Sequence, residues 1–193
     1  MTETPTIPSV LGARLVRGRA AVNILLIAGA SILIAIAAQI AIPVPLSPVP
    51  LTLQPIAVLL IGVALGSSRG AAAAALYLFE GASGLPVFAQ GHGGAFWLVS
   101  ATAGYLWSYP LAAWVAGWFS ERGWGRATLR ATTGMLFALA VIYAGGWSWL
   151  AVLSGPRAAF AIGIVPFVLA DIVKVALAAA LLPQLQKLVA RFS

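Results

Sequence analysis

The run from Ala20 to Ile42 decides the class of protein before any motif is considered. Only Asn23, Ser31 and Gln39 interrupt it, and it meets the roughly 20 apolar residues that a helix needs to cross a bilayer. The basic cluster Arg14, Arg17 and Arg19 in front of it superficially matches a cleavable leader. A leader's apolar core is shorter, about 7–15 residues, so the run reads as a retained span. It stops where Pro43, Pro45, Pro48 and Pro50 exclude a helix by removing N–H donors and clashing with the preceding turn.

Five more apolar segments follow, at about 51–65, 71–80, 95–119, 131–153 and 165–182. The second and third are short for spans, which a locally thin membrane or burial by neighbours tolerates. Pro55 falls where a first helical turn accepts it, and Pro110 predicts a kink in the fourth. Between the third and fourth lies a glycine-rich stretch, Gly81 to Gly94. It is apolar yet non-helical, and such backbone persists at membrane depth only where protein buries it or it lines a cavity. This makes it a candidate pocket wall. The expectation is an all-α integral membrane protein forming one membrane domain over 1–193, with six transmembrane helices and irregular loops at the outer face.

Composition agrees. The chain is 62% hydrophobic and 8% charged, against roughly 25% charged residues in a soluble domain. The formal charge of +7 does not point to nucleic acid, because the cations sit in short segments between apolar runs. With the N-terminus in the cytoplasm, inside segments hold Arg14, Arg17, Arg19, Arg69, Arg122, Arg126, Arg130, Lys187 and Arg191, and outside segments only Arg157. The positive-inside rule therefore places residues 1–19 and both termini in the cytoplasm. The proline-rich loop, the glycine-rich loop and the start of the last span then share the outer face.

One cation has no loop to occupy. Lys174 lies with Asp171 inside the last apolar run, and intramembrane ions cost several kcal/mol unless they have a use. Their i, i+3 spacing puts both on one helix face. Three readings stay open: a self-satisfied ion pair, a polar anchor for a ligand, or a proton relay. As an anchor, Asp171 would accept from ligand N–H groups and Lys174 would donate to a carboxylate or carbonyl. Glu80 would either orient the glycine-rich loop or face water. His92 is the only histidine, and with no cysteine in the chain a metal site has no ligand set. Thr52, Gln54, Tyr77, Trp97, Tyr105 and Trp107 are candidate pocket or membrane-interface groups. On the first span, Ala28, Ser31, Ala35 and Ala38 form a small-residue stripe, and Ala37 and Ala41 repeat the small-xxx-small spacing that lets another helix approach. Internal packing and a partner subunit are both consistent with it. No nucleophile–base pair and no nucleotide-binding motif is present, so neither catalysis nor self-powered transport is expected.

Three blocks together resemble the BioY family: Ala38 to Pro45 with Ser47 to Gln54, then Tyr77 through Gly84-Leu85-Pro86-Val87-Phe88-Ala89, and finally Pro166-Phe167 with Asp171 and Lys174. The resemblance runs in order from about Ala20 to Leu182. It implies the substrate-binding S component of an energy-coupling factor (ECF) transporter, a non-enzymatic, multi-pass subunit of a prokaryotic plasma membrane that captures biotin from outside without a cofactor. It also implies as partners a transmembrane coupling subunit, contacted by Ala37 and Ala41, and two ATPase subunits. The implied biotin-binding residues are Asp171, Lys174, Gln54, Gly84, Leu85, Pro86, Phe88 and Tyr105, in a pocket built from the first, third and fifth connections. An S component for another vitamin and a proton-coupled carrier are the alternatives. The chain departs from the family pattern at Ser100-Ala101-Thr102-Ala103-Gly104, at Gln90, and at Ala170. Each change adds a side chain at a tight backbone site.

Overall fold

The computed structural model of the chain describes residues 7–45, 47–124 and 128–189, with side chains over 20–180 and at Leu182. Arg126, Arg191 and the side chains of Arg14, Arg17, Arg19 and Lys187 lie outside the described residues. Seven helices make up most of what is described: α1 (Ile7–Gln39), α2 (Gln54–Leu65), α3 (Ser67–Ala82), α4 (Ala103–Glu121), α5 (Thr128–Ser154), α6 (Pro156–Gly163) and α7 (Val165–Val189).

α1 begins earlier than the apolar run and ends at Gln39, before Ile42. Residues Ala41–Ile42 instead form β1, antiparallel to β2 at Leu51–Thr52, with Ala41 opposite Thr52 and Ile42 opposite Leu51. The proline-rich loop thus closes as a hairpin, and the all-helical expectation misses this short ladder. The pairing also corrects the reading of Ala37 and Ala41. Ala41 sits in the strand, so the helical spacing that would put both on one face does not exist there. The other stripe packs inward. Ser31 and Ala38 are fully buried, and Ala35 lies against the core.

α2 starts with Pro55 in its first turn and at 12 residues is about 18 Å long, well short of a roughly 30 Å hydrocarbon core. α3 is longer than 71–80, because Gly66 takes a left-handed turn (φ 83°) and Ser67 already begins the helix. The fourth segment is corrected in the opposite direction. Ala95–Leu98 is only a 3₁₀ turn and α4 begins at Ala103. Leading into it are Gly91 and Gly94, which take φ of 73° and 100°, a conformation that L side chains resist. α6 and α7 meet at a bend of 44°. Pro166 stands in the first turn of α7, where its missing N–H costs nothing.

α4 is the axis of the molecule, packed by α2, α3 and α5. Small residues allow the approach. A methyl placed on Gly62 would meet the Ala113 carbonyl oxygen at 2.3 Å, so α2 and α4 touch backbone to backbone, the kind of fit that holds helices together in lipid. The outward surface is apolar, with Leu25, Leu33, Ile36, Val152, Leu169 and Leu177 all more than half exposed. Ala20–Gln39 and Thr128–Ser154 are each long and apolar enough to cross a membrane, and the bent α6–α7 pair would make a third span.

Candidate ligand pocket

A cavity of about 120 Å³ opens between the hairpin loop, the glycine-rich loop and the helices α4, α5 and α7. Val49, Leu51 and Pro55 line it from the first connection and the start of α2. Phe88, Gln90, His92 and Trp97 line it from the third connection. Tyr105, Leu106 and Tyr109 face it from α4, Ile142 and Tyr143 from α5, Phe167 and Asp171 from α7. The fifth connection contributes no lining residue. It acts from behind, where Ser47 donates to the Ile162 carbonyl at 2.8 Å and Tyr105 donates to the Gly163 carbonyl at 2.7 Å.

Asp171 is the polar end of the cavity. It is 6% exposed and receives two hydrogen bonds, from the Tyr143 hydroxyl to Oδ2 at 2.7 Å and from Lys174 Nζ to Oδ1 at 2.9 Å. Lys174 also donates to the Thr52 carbonyl at 2.9 Å and does not line the cavity. The ion pair therefore forms, and Lys174 commits two of its three N–H donors to Asp171 and the hairpin, which leaves one for a ligand. A carboxylate can accept about four hydrogen bonds, so Asp171 keeps capacity on the cavity side.

From Thr52 a chain of polar contacts runs under the pocket. Thr52 Oγ1 accepts from the Gln54 backbone N–H at 3.2 Å and donates to Gln54 Oε1 at 3.2 Å. Gln54 Nε2 donates to the Tyr77 hydroxyl, which donates to the Val87 carbonyl at 3.2 Å. Networks of this kind are rigid when every member is satisfied, and among the described residues no buried side-chain polar atom lacks a partner.

The glycine-rich loop sits on this chain. The Phe88 ring packs edge-on against Tyr77 at 5.6 Å and lies over Gly81, where a methyl would meet the ring at 2.1 Å. The imidazole of His92 stacks on Trp97 at 4.0 Å. No cluster of metal-ligating side chains occurs among the described residues. Of the residues proposed from sequence, Asp171, Gln54, Phe88 and Tyr105 come together around the cavity. Gly84, Leu85 and Pro86 do not. They are exposed and form the turn at the base of the loop, where the Leu85 N–H donates to the Glu80 carbonyl at 3.2 Å. The Glu80 side chain neither faces the loop nor stands free; it accepts from Ser31 on α1.

Tyr109 and Tyr143 went unnoticed in the sequence. The signal was there: the chain has four tyrosines, three of them line the cavity and the fourth, Tyr77, holds its wall. Tyr105 and Tyr109 also stand four apart on one helix face. The seven tryptophans, by contrast, are scattered, and Trp97 alone lines the cavity.

The walls suit an apolar ring system, and the buried carboxylate suits a ligand carrying N–H donors. Comparison with known proteins gives this cavity its context. The chain is 41% identical over 145 residues to a protein of Pyrococcus horikoshii described as a probable biotin transporter, covering 75% of this chain and 85% of that one. It is 40% identical over 151 residues to the biotin transporter of Thermotoga maritima, covering 76% and 86%. Its fold matches the crystal structure of the S component for biotin from an ECF-type ABC transporter with a TM-score of 0.78, covering 88% of this chain and 93% of that one at 22% identity. A model of the BioY family matches residues 10–191, and the chain belongs to the BioY family.

Proposed function

We propose that the chain is the biotin-binding S component of an ECF-type transporter and holds biotin in the cavity bounded by Asp171, Tyr105 and Phe88. The observation that carries the reading is the pairing of one buried carboxylate with aromatic walls in a member of this family. Biotin has the complementary parts. Its ureido N–H groups fit the remaining acceptor capacity of Asp171, and its apolar thiophane ring and chain fit Phe88, Trp97, Tyr109 and Phe167. The six-span arrangement with both termini in the cytoplasm, and a location in the prokaryotic plasma membrane, belong to the same proposal. It puts the cavity at the outer face and requires a coupling subunit and two ATPase subunits to drive release. The role of Ala37 in contacting that coupling subunit also belongs to it.

Equilibrium biotin binding to the detergent-purified chain, without ATP, tests the reading. Tight binding is expected, with a loss of about 100-fold in Asp171→Asn, the order of magnitude for removing a charged acceptor from buried donors. A folded parent that ignores biotin but binds another vitamin would transfer the assignment to that vitamin.

A further inference from the structure

Gln39, the last residue of α1, is exposed and lines no part of the cavity, yet its side chain is fully engaged with the cavity wall. Nε2 faces three carbonyl oxygens: Ala35 in its own helix at 3.0 Å, Phe88 at 3.2 Å and Val87 at 3.4 Å. Oε1 accepts from the Gly91 backbone N–H at 2.9 Å. Turning the amide over would set oxygen against carbonyls and NH₂ against an N–H, so one orientation alone serves all four contacts.

The segment it grips carries strain. Between Phe88 and Gly91 lies Gln90, with φ 61° and ψ 27°, the only non-glycine residue at positive φ among those described. A side chain in that region costs free energy that surrounding contacts must offset. Gln90 and Phe88 both line the cavity. The Val87 carbonyl is held from two sides, by the buried Tyr77 hydroxyl and by Gln39. The Tyr77 side belongs to the packed interior. The Gln39 side meets the surroundings of the protein, so it is where this wall can come away.

We infer that Gln39 is a positioning residue of the ligand pocket: its amide clasps residues 87–91 to the end of α1, holds Gln90 in its left-handed turn, and thereby sets how fast a bound ligand leaves. The inference about release rests on the biotin reading above; the clasp itself does not.

Two measurements on the full chain in detergent separate these levels. In the ligand-free protein, hydrogen exchange across residues 85–94 should speed up about tenfold in Gln39→Leu, the order expected for losing a few net hydrogen bonds, while α4 and α5 keep their protection. Exchange unchanged within about twofold in that segment would overturn the clasp, whatever the ligand proves to be. With biotin, Gln39→Leu should release ligand about tenfold faster and take it up at an equal or greater rate. Gln90→Gly, which removes the cost of the left-handed turn, should slow release in the Gln39→Leu background by a larger factor than in the parent. A purely structural role predicts slower uptake, a lower thermal midpoint and the same Gln90→Gly factor in both backgrounds, and that pattern would refute the positioning role.

Discussion

The two ends of the helical bundle are built on different plans. At the cavity end, Tyr105, Tyr109, Tyr143 and Phe167 surround an open space, although α4 and α5 still meet there backbone to backbone at Gly104 and Gly145. Irregular backbone is tied there by side chains that donate to main-chain carbonyls: Tyr77 to Val87, Lys174 to Thr52, Tyr105 to Gly163, Ser47 to Ile162. At the other end the backbones touch as well, but around a far smaller space. A methyl on Gly117 would stand 2.3 Å from the Ser67 nitrogen, and the small gap there amounts to only about 10 Å³. Lipid supplies no hydrophobic drive between helices, so the close-packed end fixes the helix axes and the other end can be held open around a ligand.

If this division is correct, stability and ligand affinity respond to different substitutions. The largest effect on stability is expected from Lys174→Met, which leaves Asp171 buried with Tyr143 as its one remaining partner. Removing one member of such a pair costs about 3–5 kcal/mol, readable as a lowered unfolding midpoint in detergent. The double variant Asp171→Asn/Lys174→Met removes both charges and should recover most of that loss while still failing to bind biotin. A double variant that binds like the parent would show that the carboxylate is not the anchor. Gly117→Val comes next. Its added carbons meet the main chain of Gly66 and Ser67, which cannot rotate away, so the cost lies near the upper end of the about 1–3 kcal/mol usual for overpacking. The fraction that stays folded should bind biotin with parental affinity. Weakened affinity in that fraction would break the separation between the ends.

The sequence was most legible where a residue's chemistry conflicts with its surroundings. A carboxylate and an ammonium in an apolar run had to find each other, and Asp171 and Lys174 do. Four prolines in eight residues had to end a helix, and α1 stops before them. Boundaries set by hydrogen bonds between distant parts of the chain were not legible. β1 exists because Ala41 meets Thr52, and one donor of Lys174 goes to the Thr52 carbonyl, 122 residues away. Phe88 was legible as pocket lining while Leu85 was not, because the direction of a loop side chain depends on the turn beneath it. Here that turn is fixed by main-chain bonds to Gly81 and Glu80, about which side-chain type says nothing.

The smallest expected effect sharpens the contrast from the packed end. Glu121 closes α4, and its carboxylate accepts from the Ser67 backbone N–H at 2.7 Å and from the Ser67 hydroxyl at 2.9 Å, so it caps α3 at the point where α2 turns into it. Those two bonds, the backbone one foremost, hold its carboxyl below the usual range. A depressed value means that the unfolded chain takes up the proton first. The contribution is therefore complete above the ordinary glutamate range and disappears as the pH falls through the folded-state value. Because the group is exposed, solvent screens the effect and the loss is small. Acidification from about pH 7 to about pH 3, across the glutamate range, should lower the thermal midpoint of the parent slightly more than that of Glu121→Gln, and the two midpoints should converge in acid. Biotin affinity at neutral pH should be the same in both. An affinity change in Glu121→Gln would mean that the cap is felt along the whole length of α4, and the two ends would then have to be treated as one coupled unit.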